Sequence, residues 1–362
     1  SYGGLGLTVQ MEDGAVKVVA PTEDTPAYRA GIKSGDYITN LDGTLIYGGS
    51  LDEAVDKMRG APGSKIRLTI VRPGRDKPFD VTLTREIIQI KPVKWSVVGR
   101  VGILDINSFS KTTGAGVRDG IAAIDKQLGG HPLGYVIDLR SDPGGLLDQA
   151  IEVSDAFLTH GEIVSQRGRE KTDIDRYYAT RKPVDYAHGR PIVVLVDAGT
   201  ASAAEIVAGA LQDQRRGLIL GERSFGKGSV QTLIPLTDDT ALRLTTARYY
   251  TPSGRSVQEG GIQPDILVPQ LTDPDYKDRP QLREVDLRRH LINQAKVDDS
   301  LLDDDVKPDP RFTETATALE KAGVKDFQLD YAIKMLARLS SPAAQHAMTQ
   351  ATPTRPAAKR KH

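Results

Sequence analysis

Apolar and polar positions alternate in short runs through residues 1–88. Leu5-Gly-Leu-Thr-Val9 and Val16-Lys-Val-Val-Ala20 predict two strands around the turn Glu12-Asp13-Gly14. Thr25-Pro26-Ala27 opens a short helix that Gly31 closes, and Asp36–Leu41 is the next strand, ending at Asp42-Gly43. Ser50 caps a helix whose apolar residues Leu51, Ala54, Val55 and Met58 recur at helical spacing, until Gly60-Ala-Pro-Gly63 stops it. Lys65–Val71 and Phe79–Thr84 read as strands paired across Arg72-Pro73-Gly74-Arg75. The pattern predicts one small β-rich unit.

From about Glu86 the period changes. Val101–Leu104, Tyr135–Leu139 and Pro191–Val196 read as strands. The last is an uninterrupted apolar run, of the kind buried on both faces of a sheet. Helical patterns lie between, over Gly114–Leu128, Gly145–Phe157 and Ala201–Gln214. Alternation of this sort predicts an α/β layered core. Ile163–Ala187 is polar and rich in Arg and Tyr, and reads as a hairpin or excursion. After Gln270 come a linker, Asp273–Pro280, and an acidic cluster formed by Asp298, Asp299, Asp303, Asp304 and Asp305. Two amphipathic helices, Phe312–Leu319 and Phe327–Leu339, follow and are broken near Gly323. The Pro/Ala/Thr-rich end is expected to be disordered. The resulting division is 1–88, 89–270, 271–339 and 340–362.

Composition narrows the chemistry. The 362 residues carry 48 basic and 48 acidic side chains and no cysteine. The balanced charge offers no general attraction for nucleic acid or an anionic membrane. Without cysteine there are no disulfides, thiolate nucleophiles or thiolate-ligated metals. No apolar run approaches the ~20 residues that span a bilayer. The chain starts at Ser1 without an initiator Met and reads as a processed or trimmed form.

Three glycine-framed segments carry candidate chemistry. In Val196–Leu211 a buried strand runs through small residues into a helix, with Ser202 at its first turn. Free N–H groups and the positive dipole end there stabilise a developing oxyanion. Ser202-Ala-Ala-Glu205 equally fits a capping box. A nucleophilic serine needs a base. His131, His160, His188, His290, His346 and His362 sit in no motif that pairs them with Ser202; His131 and His188 read as turn residues. A desolvated lysine can serve instead, and Lys227 lies between Gly226 and Gly228. Gly221-x-x-x-x-Gly226-Lys227 imitates a P-loop. Gly228 occupies the place of the required Ser or Thr, and a strand-like run follows in place of a helix, which argues against nucleotide binding. In Ile137–Leu147 a strand ends at Arg140 and the turn Pro143-Gly144-Gly145 leads into a helix; its N–H groups suit an oxyanion hole, and the segment also fits a plain strand–helix connection.

Together the blocks Asp138-Leu-Arg-Ser-Asp-Pro-Gly-Gly145, Gly199-Thr-Ala-Ser-Ala-Ala-Glu-Ile206 and Ser224-Phe-Gly-Lys-Gly-Ser-Val-Gln231 resemble the carboxyl-terminal processing, or tail-specific, serine proteases. The resemblance covers residues 1–270. It implies Ser202 as nucleophile, Lys227 as general base and Gln231 as the residue orienting that lysine. It also implies an oxyanion hole from Ala203 and a glycine of the pair Gly144, Gly145, with Gly144 favoured. Asp142 stands where the family more often has Asn, a change expected not to affect a hole of backbone amides. The first unit resembles a PDZ domain. Gly4, Leu5, Gly6 and Leu7 then form the carboxylate-binding loop and groove strand, and Leu51 and Val55 line the opposite wall or fill the core. The implied fold is a ClpP/crotonase-like α/β protease core with an N-terminal β-rich PDZ domain and a helical C-terminal segment. The implied activity is a PDZ-gated serine endopeptidase acting on proteins with free C-termini. It needs no cofactor or metal and works in the periplasm, with an adaptor protein and a homo-oligomeric full-length form as further expectations. The alternative is a catalytically silent PDZ scaffold. Family members usually carry a further segment ahead of the PDZ unit.

Overall fold

The computed structural model describes residues 3–12, 14–22, 24–88, 91–170, 172–180, 185–237, 240–273, 283–287, 291 and 311–340. Tyr2, the tip of the first turn at Asp13, most of the linker, the acidic cluster and the C-terminal tail lie outside them. The chain divides into two units, Ser1–Ile90 and Lys91–His362.

The first unit contains β1 (Leu7–Glu12), β2 (Ala15–Pro21), α1 (Pro26–Arg29), β3 (Tyr37–Leu41), β4 (Thr44–Leu45), α2 (Leu51–Met58), β5 (Lys65–Val71) and β6 (Phe79–Thr84). The antiparallel sheet runs β1-β2-β3-β5-β6, with β4 on β3. Alternation does what the pattern predicts: Ile66, Leu68 and Ile70 point inward from β5, and their neighbours Lys65, Arg67 and Thr69 point outward or stay half-covered. Each fully buried aliphatic side chain contributes roughly 1.5–3 kcal/mol. Helix α2 starts because the Ser50 hydroxyl accepts the Glu53 N–H at 3.2 Å, with Asp52 and Glu53 favouring the positive dipole end. Its last turn is closed by a buried cation: Arg85 donates to the carbonyls of Met58 at 2.9 Å and Lys57 at 3.0 Å.

The second unit is built on six strands: β7 (Val93–Val98), β8 (Val101–Ile106), β9 (Gly134–Asp138), β12 (Ile192–Val196), β13 (Leu218–Gly221) and β16 (Ile266–Leu267). They form one sheet in the order β16-β13-β12-β9-β8-β7. All pairs but β7–β8 are parallel. Side-chain period sorts each strand between two cores. Ile192, Val194 and Val196 join Tyr135 and Ile137 on the face covered by α3 (Thr113–Gln127), α4 (Leu147–Asp155) and α5 (Ala203–Asp213). Val193 and Leu195 join Val136, Val101 and Ile103 on the other face, against Phe327, Ala332 and Leu336 of the helix Phe327–Leu339. The apolar run of β12 is therefore buried on both sides, and one of its covers comes from the C-terminal segment.

The remaining strands, β10 (Glu162–Arg167), β11 (Ile174–Tyr178), β14 (Ser229–Pro235) and β15 (Ala241–Tyr250), form a four-stranded sheet in the order β11-β10-β15-β14. The polar excursion is thus a hairpin, β10–β11. Strand β15 gave no clear sequence signal, because Ala241-Leu-Arg-Leu-Thr-Thr246 is exposed on both faces and has no buried stripe. The helix expected at Phe312–Leu319 spans Ala316–Lys321, capped by Thr315, and Gly323 breaks the pair at a φ of 75°.

Candidate active site

Three connections leave the carboxyl ends of β9, β12 and β13, where ligands of parallel sheets commonly bind. After β12 the chain turns through Asp197-Ala-Gly-Thr-Ala to Ser202, the N-cap of α5. Ser202 holds φ 54° and ψ −115°, far from the extended backbone of an ordinary N-cap. A non-glycine residue in this region is strained by about 1–3 kcal/mol and persists only where its surroundings over-determine it.

Those surroundings are specific. The Ala201 N–H donates to the Asp142 carbonyl at 2.9 Å, and the Thr200 hydroxyl donates to the Leu139 carbonyl at 2.7 Å. Asp197 accepts the Ser141 N–H at 2.7 Å and the Gly199 N–H at 3.0 Å. The serine turn and the Pro-Gly-Gly turn are therefore one hydrogen-bonded piece. The Phe225 N–H donates to the Thr200 carbonyl at 2.9 Å and ties in the lysine segment.

The centre of the arrangement is Glu205, fully buried one turn into α5. Its Oε2 accepts the N–H of Ser202 at 2.8 Å and the N–H of Lys227 at 2.9 Å. Its Oε1 accepts the Ser224 hydroxyl at 2.5 Å and the Gly226 N–H at 2.8 Å. Ser202 and Lys227 are 25 residues apart in sequence. Sharing one oxygen puts their backbone nitrogens no more than about 5.7 Å apart, the sum of 2.8 and 2.9 Å. Burial pushes the Glu205 carboxyl up to about 7, and the four donors oppose that rise. The sequence shows Glu205 only as the partner of Ser202 in a capping box, and that half of the box is present. The links to Ser224, Gly226 and Lys227 are tertiary.

The glycines flanking Lys227 are both required. Gly226 has φ 92°, and a Cβ there would lie 2.8 Å from the Glu259 carbonyl oxygen. A Cβ on Gly228 would lie 2.4 Å from the Gln258 nitrogen. Lys227 itself is half-buried. The segment leads into strand β14, unlike a P-loop, whose lysine opens a helix.

Not every sequence-derived partner is in contact. The Ser202 and Lys227 side chains do not hydrogen-bond to each other, and the Gln231 side chain is exposed and bonds to no described residue. Catalytic hydrogen bonds are often long before substrate binds. Gln231 follows a bulge at Val230/Gln231 and lies opposite Thr245 on β15. His131, His160 and His188 are all exposed, with none bonded to Ser202; the other three histidines lie outside the described residues.

The Pro-Gly-Gly turn packs directly on the serine. A Cβ on Gly144 would lie 2.7 Å from the Ala203 nitrogen and 2.9 Å from the Ser202 Cβ. On Gly145 it would lie 2.2 Å from the Phe109 carbonyl oxygen. One expectation changes here. The Gly144 N–H donates to Asp142 Oδ1 at 2.8 Å, so it is occupied; the N–H groups of Gly145 and Ala203 donate to no described residue. Asp142 takes part in this turn, because its side chain holds the Gly144 N–H. It is fully buried, its Oδ2 has no hydrogen-bond partner among the described residues, and burial pushes the carboxyl up to about 7. Beyond it, Arg140 pairs with Asp138 at 2.6 Å and with Asp326, the N-cap of the C-terminal helix, at 2.7 Å. No group of three or more metal-ligating side chains occurs among the described residues.

In the first unit, Leu5 is buried in the core, while Leu7, Leu51 and Val55 are half-buried against it. The Gly3 and Gly4 N–H groups are taken by the carbonyls of Gly60 at 2.7 Å and Glu86 at 2.8 Å. Those of Leu5 and Gly6 donate to no described residue, and β1 is an edge strand of its sheet. Gly6 sits at φ 74°, where a Cβ would strike Thr25.

Residues 100–268 match the model of peptidase family S41, and residues 3–83 match that of the PDZ domain. The carboxy-terminal-processing protease of Bartonella bacilliformis is 52% identical over 299 residues, covering 82% of this chain and 68% of that protein. The carboxyl-terminal-processing protease of Synechocystis is 36% identical, covering 74% of this chain and 62% of its own length. A solved photosystem II D1 C-terminal processing protease is 33% identical over 74% of this chain and 72% of that one, with a TM-score of 0.46. The chain thus spans roughly two thirds of the length of these relatives. No helix among the described residues is long and apolar enough to cross a membrane. By its match to the S41 and PDZ models and its 52% identity to the Bartonella protein, the chain belongs to peptidase family S41, among the PDZ-containing carboxy-terminal-processing proteases.

Proposed function

We propose that this chain is a serine endopeptidase with a Ser202–Lys227 dyad. The observation carrying the reading is the single buried carboxylate oxygen of Glu205, which accepts both the Ser202 and the Lys227 N–H. The Ser202 hydroxyl attacks the scissile carbonyl while the Lys227 amine takes its proton. The oxyanion forms against the N–H groups of Ala203 and Gly145, two donors at the turn that no described residue occupies. The tetrahedral intermediate collapses, the leaving amine receives the proton from Lys227, and water then releases the acyl group by the same steps. Gln231 orients the Lys227 amine once substrate closes the site. The relatives' names favour this reading over a silent scaffold.

The first unit receives the C-terminal tail of a polypeptide. The tail adds as a strand on β1, its carboxylate meets the Leu5 and Gly6 N–H groups, and Leu51 and Val55 line the wall. We assign residues 1–88 to this PDZ unit, 89–270 to the protease core and 271–339 to a helical segment. A periplasmic location, an adaptor protein and a homo-oligomer complete the reading by family likeness.

A fluorophosphonate probe tests it. Labelling of the intact chain, lost in Ser202→Ala, is expected. Lys227→Ala is expected to abolish turnover with an unchanged circular dichroism spectrum. Turnover that persists in Lys227→Ala refutes the dyad.

A further inference from the structure

A cavity of about 230 Å³ lies on the sheet that carries the lysine strand. Its lining includes Arg167, Arg169, Thr245, Thr246, Arg248 and Tyr250 and, among the described residues, no acidic side chain. Arg167 and Arg248 are directly opposed in the β10–β15 register. Like charges opposed across strands destabilise a sheet. No carboxylate among the described residues relieves the repulsion by an ion pair with any of the three arginines. The Arg167 guanidinium lies over the Tyr250 ring, 4.1 Å from its centroid, and its Nε is buried without a hydrogen-bond partner among the described residues. A guanidinium fork stacked on a ring, beside a second arginine and threonine hydroxyls, suits a carboxylate.

The cavity is joined to the dyad through the backbone. Arg248 lies opposite Ser229, two residues after Lys227, and the Tyr249 N–H donates to the Gly228 carbonyl at 2.7 Å. Thr245 lies opposite Gln231. The cavity thus lies one strand in from β14, the edge strand that follows Lys227. We propose that the Arg167–Arg169–Arg248 cavity is a specificity subsite that receives a carboxylate of the bound substrate, from an Asp or Glu side chain or from the chain end. The inference rests on the endopeptidase reading. The attraction is electrostatic, so the preference is weakened by salt.

The test uses the full chain and fluorogenic peptides that differ by Glu or Gln at one scanned position, each with a free or an amidated C-terminus. At one position the Glu peptide is expected to be cleaved about tenfold better in kcat/KM. Arg248→Gln and Arg167→Gln bring that ratio to near one, while Arg248→Lys keeps most of it. Arg169→Gln, an exposed position, covers the case in which the strand variants fail to fold. A preference that tracks Glu in amidated peptides assigns the side-chain source; one that tracks the free C-terminus assigns the chain end. A ratio near one at every position while the neutral peptides are cleaved, or a ratio unmoved by the arginine variants, overturns the proposal. Should no peptide be cleaved and no fluorophosphonate label appear, the endopeptidase reading has failed. Binding of the same labelled peptides to Ser202→Ala then decides the subsite: tighter binding of the Glu peptide, lost in Arg248→Gln, upholds it, and equal affinity rejects it.

Discussion

Two buried carboxyls flank the candidate dyad, and they are built differently. Glu205 and Asp142 are both inaccessible to water, and burial pushes both to about 7. Glu205 accepts four donors on its two oxygens, from Ser202, Ser224, Gly226 and Lys227. Asp142 accepts one, from Gly144, and its Oδ2 has no partner among the described residues. An unmade hydrogen bond in a low-dielectric interior costs more than a made one contributes. Glu205 is therefore a structural hub that brings two distant segments together. Asp142 is a loosely satisfied group beside the proposed oxyanion hole, and there the carboxyl adds little that an amide would not.

The same chemical change at each site breaks or sharpens that contrast. Glu205→Gln has the largest expected effect. Its –NH₂ must face two donors head-on, and the loss is roughly 3–5 kcal/mol in chemical denaturation, with little soluble protein. A stable, active Glu205→Gln enzyme would show that the hub is dispensable. Gly228→Ala comes next. Its Cβ would lie 2.4 Å from the Gln258 nitrogen, a backbone atom with no rotamer to escape by. A loss of about 2–3 kcal/mol is expected, together with most of the activity, because the Lys227 loop must shift.

Asp142→Asn is expected to have the smallest effect, and its size depends on pH. The folded chain holds a proton on Asp142 between about pH 4 and pH 7, where an unfolded carboxyl has already lost it. Stability then falls as pH rises through that window and levels off above it. The Asp142→Asn variant lacks the slope, so it gains on the parent chain as pH rises, by about 1–2 kcal/mol at pH 8. Denaturation midpoints at pH 5 and pH 8 measure it. An equal difference at both pH values would mean that Asp142 titrates normally. Turnover of Asp142→Asn relative to the parent should also rise above pH 7, since a carboxylate beside the hole opposes a developing oxyanion.

Much of the molecule is legible from local pattern. The strands of the first unit, the helix capped by Ser50 and the two-sided burial of β12 follow from side-chain period and capping chemistry, which act over a few residues. The glycines around Lys227 stand out in the sequence, but what requires them is tertiary, since a Cβ on either would meet the backbone of Gln258 or Glu259. Other features lack a local signal. Strand β15 has no buried stripe, so periodicity passes over it. The helix Phe327–Leu339 looks like any amphipathic helix; its contact with Val136, Val193 and Leu195 depends on partners well over 100 residues earlier in the chain.

The sequence by itself determined the two kinds of unit, the absence of thiol chemistry, and the three glycine-framed blocks with their Ser, Lys and Gly-Gly residues. Turns and caps are dictated by the backbone within a few positions, so they survive reading in one dimension. Only the tertiary structure decided which of those residues meet. It put Ser202 and Lys227 on one oxygen of Glu205, turned the Gly144 N–H toward Asp142, and set Arg167 against Arg248 beside the lysine strand. Each of these depends on strand order and on burial. A side chain's value as hub, hole or subsite depends on which groups surround it once water is gone, and chain spacing carries no record of that.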